Sequence, residues 1–109
     1  MKLFRRTKRW LKRAYPLPFP VRVHTLPQSH PRMDGACGWF VVEGEGRYRI
    51  YIAIAQDSCM AETLIEEWSH ALRHAMPLDV DYDGEPHDAH FWGIYGAITN
   101  SWRSRFRSS

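Results

Sequence analysis

The sequence predicts an α+β fold, a small antiparallel sheet of about three strands packed against a central helix and a C-terminal helix. Three observations carry this. β-rich runs come first and helical periodicity comes second, which is the order of a sheet with helices gathered on one side. A chain of 109 residues leaves room for one core. A hydrophobic share of 44%, with 14% aromatic, is enough to fill it.

Residues 4–15 (FRRTKRWLKRAY) carry Phe4, Trp10, Leu11 and Tyr15, too sparse for a clear apolar stripe, so a short basic helix and a mobile arm fit equally. Pro16, Pro18 and Pro20 then deny helix and favour a stiff, extended connection. The expected organisation is a basic arm and Pro-rich linker over 1–20, followed by one domain over 21–109 with a basic C-terminal tail. Val21-Arg-Val-His-Thr-Leu26 alternates like a half-buried strand. Loop chemistry fills 27–38. Trp39–Glu43 and Tyr48–Ala55, joined by Gly44-Glu45-Gly46, read as a hairpin. The second run is apolar at nearly every residue, so both of its faces should be covered.

Asp57-Ser58 reads as an N-cap pair. After it, Ala61, Leu64, Ile65, Trp68, Ala71, Leu72, Ala75 and Met76 recur at helical spacing until Pro77. Residues 77–86 (PLDVDYDGEP) form an acidic loop. A second helix is expected from about 88 to 101, with Phe91, Ile94, Tyr95, Ile98 and Trp102 turned inward. No run approaches eighteen apolar residues, and no apolar run follows the basic start as a secretory leader requires. Cytoplasmic residence is the expectation. Cys37 and Cys59 form no C-x-x-C pair and are given no chemistry.

Charge is strongly segregated. Ten of the fifteen cationic residues lie in 1–13 and 103–107, where no carboxylate occurs, and the stretch 14–102 has a formal net charge of −7. Such tails suit a polyanion, nucleic acid or membrane surface, with Trp10, Tyr15, Trp102 and Phe106 available to stack on bases. The competing expectation is that they fold back on the acidic body.

Glu66, Glu67, His70 and His74 lie along one flank of the central helix, within an arc of about 100°. His87, Asp88 and His90 follow at the start of the next helix, which an antiparallel pair returns to the same place. Imidazoles with carboxylates at this spacing suit a zinc ion with an open position and a neighbouring general base. A solvated charged flank has the same spacing. Asp88 is most simply a helix N-cap, or else orients His87.

Glu62-Thr-Leu-Ile-Glu-Glu-Trp-Ser-His-Ala-Leu72, with His87-Asp-Ala-His-Phe-Trp-Gly-Ile-Tyr-Gly-Ala-Ile98, resembles the SprT-like zinc metallopeptidases, in particular the short forms of phage genomes. The resemblance covers about residues 36–102 and omits the arm. It implies a minimal zincin-like fold and a zinc-dependent peptidase or hydrolase acting in the cytoplasm of a bacterial host. It also implies that Glu67 is the general base, that His70 and His87 are ligands, and that Tyr95 lies nearby. The departure is Glu66, where the family's H-E-x-x-H motif has its first histidine. Either Glu66 binds through oxygen, or His74 or His90 completes the set, or the site is degenerate and the chain is a metal-stabilised binding or structural module. A site containing carboxylate is also less selective for zinc over other divalent ions. The strand Tyr48–Ala55 is expected to offer its edge to an extended peptide.

Overall fold

The computed structural model describes residues 1–44, 46–76 and 87–106. Its sheet contains β1 (Val21–Leu26), β2 (Gly38–Val42) and β3 (Tyr48–Ala53) in the order β1-β3-β2. The expected hairpin forms: β2 and β3 pair antiparallel, with Gly38 opposite Ile52 and Val42 opposite Tyr48. Gly44 and Gly46 take positive φ at its turn (59° and 75°), which side chains resist. β1 differs from expectation, because it pairs parallel to β3, with Val21 opposite Tyr48 and Leu26 opposite Ala53. The α+β class and three strands therefore hold, while the sheet is mixed. The chain reverses after β1 through a loop containing a 3-10 turn at Pro31–Met33, and reverses again at the hairpin. Two reversals return β3 parallel to β1, and it enters between the other strands.

A central β3 has no free edge, which corrects the expectation that Tyr48–Ala55 presents one; among the described residues the open edges belong to β1 and β2. Its expected burial on both faces is found. Ile50 and Ile52 join the main core, and Tyr51 and Ala53 pack with Met33 of the 3-10 turn on the other side.

The central helix α2 (Asp57–Ala75) lies on β2 and β3, flanked by α1 (Lys2–Ala14) and α3 (Ala89–Phe106). Its stripe of Ala61, Leu64, Ile65, Trp68 and Ala71 is buried as the periodicity requires. Asp57 is not its N-cap. Gln56 holds that position without a side-chain bond, and the Asp57 carboxylate turns outward to α1.

Residues 2–14 form a helix docked on α2 rather than a mobile arm. Phe4, Trp10 and Leu11 belong to the same core as Ile50 and Trp68. The stripe looked broken because Thr7 occupies it; Thr7 is fully buried, and Trp102 Nε1 donates to its hydroxyl at 2.9 Å. At the start of α1, the Leu3 and Phe4 amides both donate to Asp57 at 2.8 Å. At its end, Trp68 Nε1 donates to the Tyr15 carbonyl at 2.9 Å. Phe4–Asp57 and Tyr15–Trp68 share a sequence offset of 53, so α1 and α2 run side by side in the same direction. α3 returns antiparallel to α2, as expected. The predicted acidic loop lies outside the described residues. None of the described helices is long and apolar enough to cross a membrane.

Candidate functional site

The polar flank of α2 divides between two neighbours. Glu67 faces the sheet, where the first residue of β2 is Gly38. A Cβ at Gly38 would lie 2.7 Å from Thr63 Cγ2 and 3.0 Å from Glu67 Oε2, so only glycine permits this approach. Glu67 is 6% exposed. Burial, and then the adjacent Glu66 charge, pushes its carboxyl up to about 8, so at neutral pH it holds a proton.

His70 faces the start of α3. Its ring stacks on Phe91 at 4.3 Å between centroids and on His87 at 4.8 Å. The two histidines point Nε2 at Nε2, 3.0 Å apart. Burial and the His87 charge lower the His70 pKa, which favours its neutral ring. Two lone pairs do not face one another at this distance; either one ring donates its proton to the other, or both share a cation. Metal–imidazole bonds of about 2.0–2.1 Å set two nitrogens on one ion about 2.9–3.4 Å apart, depending on coordination geometry. The pair fits that range.

A third donor is not gathered with them. Among the described residues, no three His, Cys, Asp or Glu side chains form a group able to hold a metal ion. Glu66 is half-buried and sits one helical turn before His70. His74 turns to the sheet, its Nδ1 3.3 Å from the Tyr48 hydroxyl and its ring edge-on to Phe40. His90 is exposed on the first turn of α3. Two of the expected site histidines are thus brought together, while Glu67, on the same helix as His70, turns to the sheet instead.

Asp88 acts as the N-cap of α3, accepting from the Phe91 amide at 2.8 Å. Its carboxylate is also gripped by Arg73, at 2.7 Å from the terminal nitrogen and 3.0 Å from Nε. Those bonds hold the Asp88 carboxyl well below its usual value, at about 2. The oxygens serve Arg73 and Phe91 rather than orienting His87. The result for the site is nonetheless direct, because this clamp fixes the start of α3 one residue beyond His87. Sequence reasoning missed Arg73. The available signal was an arginine on the α3 side of α2, one turn after His70, with an acid at the start of α3.

Trp68 is core, and Tyr95 stacks on Phe91 at 5.8 Å between centroids. Trp92 is 51% exposed and stands edge-on to His87 at 5.3 Å. It follows Phe91 by about 100° around the helix, which turns it outward when Phe91 turns in. Trp10 and Trp102, expected among base-stacking residues, are buried at the α1–α3 contact. Comparison with family models, curated proteins and solved structures returns no match.

Proposed function

We propose that the chain is a metal-dependent hydrolase of SprT-like type, with zinc as the expected ion. The observation that carries this reading is the opposed Nε2 pair of His70 and His87, held at 3.0 Å between α2 and the turn that leads into α3. These two residues would hold the ion. Glu66 is the proposed third ligand, with His74 and His90 as alternates. A bound divalent ion would supply Lewis acidity toward a peptide carbonyl. Glu67, against the backbone of β2, would give up its proton once a bound cation favoured the ionised form; as the carboxylate it is the group that would take a proton from water and return it to the leaving amine. The open edge of β2 is the surface proposed for an extended peptide, through main-chain hydrogen bonds.

Elemental mass spectrometry of the full chain tests this. One zinc per chain, lost in His70→Ala, His87→Ala and Glu66→Ala, is the expected result. Metal kept in Glu66→Ala moves the third ligand to His74 or His90. No metal after zinc is supplied overturns the reading. With metal bound, Glu67→Gln should retain the ion and lose hydrolysis of a casein substrate. Metal binding without any hydrolysis by the parent supports the alternative of a metal-stabilised binding module.

A second reading, polyanion binding by the cationic residues, is favoured by one observation. Although α1 docks on the body, Arg5, Arg6, Arg9, Lys12 and Arg13 remain exposed.

A further inference from the structure

Arg6, Arg9 and Arg13 are three and four residues apart on α1, so they rise along one side of it in steps of about 4.5 and 6 Å. Arg105, from the last turn of α3, faces them across a cleft of about 380 Å³ completed by Trp10 and Phe106. Among the described residues, no carboxylate lines this cleft. Nor does any of its four arginines form an ion pair with a carboxylate of the described residues. The Arg6 and Arg105 guanidinium carbons lie 5.3 and 5.7 Å from the centroid of the Phe106 ring. That contact holds two cations by their faces and leaves their N–H edges to bond. Four like charges gathered with no counter-charge among the described residues repel one another, and an anion relieves this.

The cleft narrows the choice of anion. Its cations lie in a row, which suits a linear chain of phosphates, each able to accept an arginine fork. A lipid surface fits poorly, because the apolar face of α1 is already buried in the core and cannot enter a membrane. A single strand can bend its phosphates into the cleft, whereas a duplex, stiff over about 150 base pairs, does not fold into so short a site. The aromatic floor offers no stacking platform, since Trp10 is 7% exposed and Phe106 is overlaid by guanidinium groups.

We infer that this cleft binds the sugar–phosphate backbone of a single-stranded nucleic acid, without reading its bases. The inference rests on the polyanion reading and gives it a location. It is separate from the histidine pair: His90 and Arg105 are fifteen residues apart on α3, about 22 Å of helix.

The test is fluorescence anisotropy with a labelled fifteen-nucleotide oligothymidylate and the full chain. Four phosphate contacts give a slope of log affinity on log salt of about −2.8, or about fiftyfold weaker binding at 200 mM than at 50 mM salt. Arg9→Ala with Arg105→Ala should reduce that slope by about 1.4 and weaken binding at 50 mM by more than tenfold. Arg22→Ala with Arg47→Ala, an equal loss of exposed charge elsewhere, should stay within about twofold of the parent. Thermal unfolding of both pairs verifies that they are folded. If the Arg9/Arg105 pair binds like the Arg22/Arg47 pair, the cleft is overturned while the polyanion reading survives. Absence of binding by the parent overturns both. Tighter binding at equal salt to a fifteen-base-pair duplex or to phosphatidylserine vesicles overturns the single-strand assignment.

Discussion

The two ends of α3 are built on opposite electrostatic terms. At its start polar groups pair within the chain: Asp88 is met by Arg73 and a backbone amide, and the His70 imidazole meets that of His87. At its end Arg105 joins three arginines of α1 and, among the described residues, no acid. Pairing at the first end uses up hydrogen-bonding capacity to fix geometry. The second end keeps that capacity for something outside the chain. The start of α3 should therefore be sensitive in stability, and its end insensitive in stability but sensitive to ionic ligands.

Phe91→Ala presses hardest on this comparison. It removes a fully buried ring on which both imidazoles stack, and should cost about 3–5 kcal/mol in urea unfolding. A loss below about 1 kcal/mol would mean that the first end is not packed as described. Gly38→Ala should cost about 1–3 kcal/mol by overpacking against Thr63 and Glu67. It should also shift the Glu67 titration, seen as a changed pH profile of stability in chelator. The sign there is fixed. A carboxyl raised to about 8 when folded makes stability fall as pH rises from about 4.5 toward 8, and Glu67→Gln should remove that fall.

Thr7→Val tests the contact between α1 and α3. Loss of the Trp102 bond should cost about 1 kcal/mol, read from the urea midpoint. Asp88→Asn keeps a good cap but loses the charge that Arg73 grips. Because the folded pKa of Asp88 is depressed to about 2, its contribution is present above about pH 4 and disappears as pH falls toward 2. Parent and variant should therefore differ at pH 7 and converge near pH 2 in thermal unfolding. Arg9→Ala is the smallest effect, within about 0.5 kcal/mol; a larger loss would mean that the second end also has a structural role.

Local pattern made much of this fold legible in the sequence. The α2 stripe, the inner face of α3 and the hairpin glycines announce themselves within a few residues. Residues whose partners are distant did not. Thr7 hid the α1 stripe because a threonine is read as polar until Trp102 is opposite it. Asp57 looked like the cap of its own helix, yet it caps one that precedes it by more than forty residues. The parallel pairing of β1 depends on where β3 inserts, which its own alternation cannot specify. At the candidate site, spacing and an antiparallel helix pair were enough to bring His87 toward His70, and the two do meet. Spacing could not show that His74 turns to Tyr48, since two residues on one flank of a helix can face different neighbours.

The constant offset between α1 and α2 has a dynamic consequence. A thirteen-residue helix with seven cations and no acid is too short and too self-repelling to persist alone in water. Its helicity is lent by α2, through Asp57 at one end and Trp68 at the other. The two helices should therefore open as one cooperative unit, with the Leu11 and Leu64 amides exchanging at matching free energies. The arginine row along α1 then has no existence apart from the core: wherever the centre of the protein melts, its cationic face dissolves in the same event.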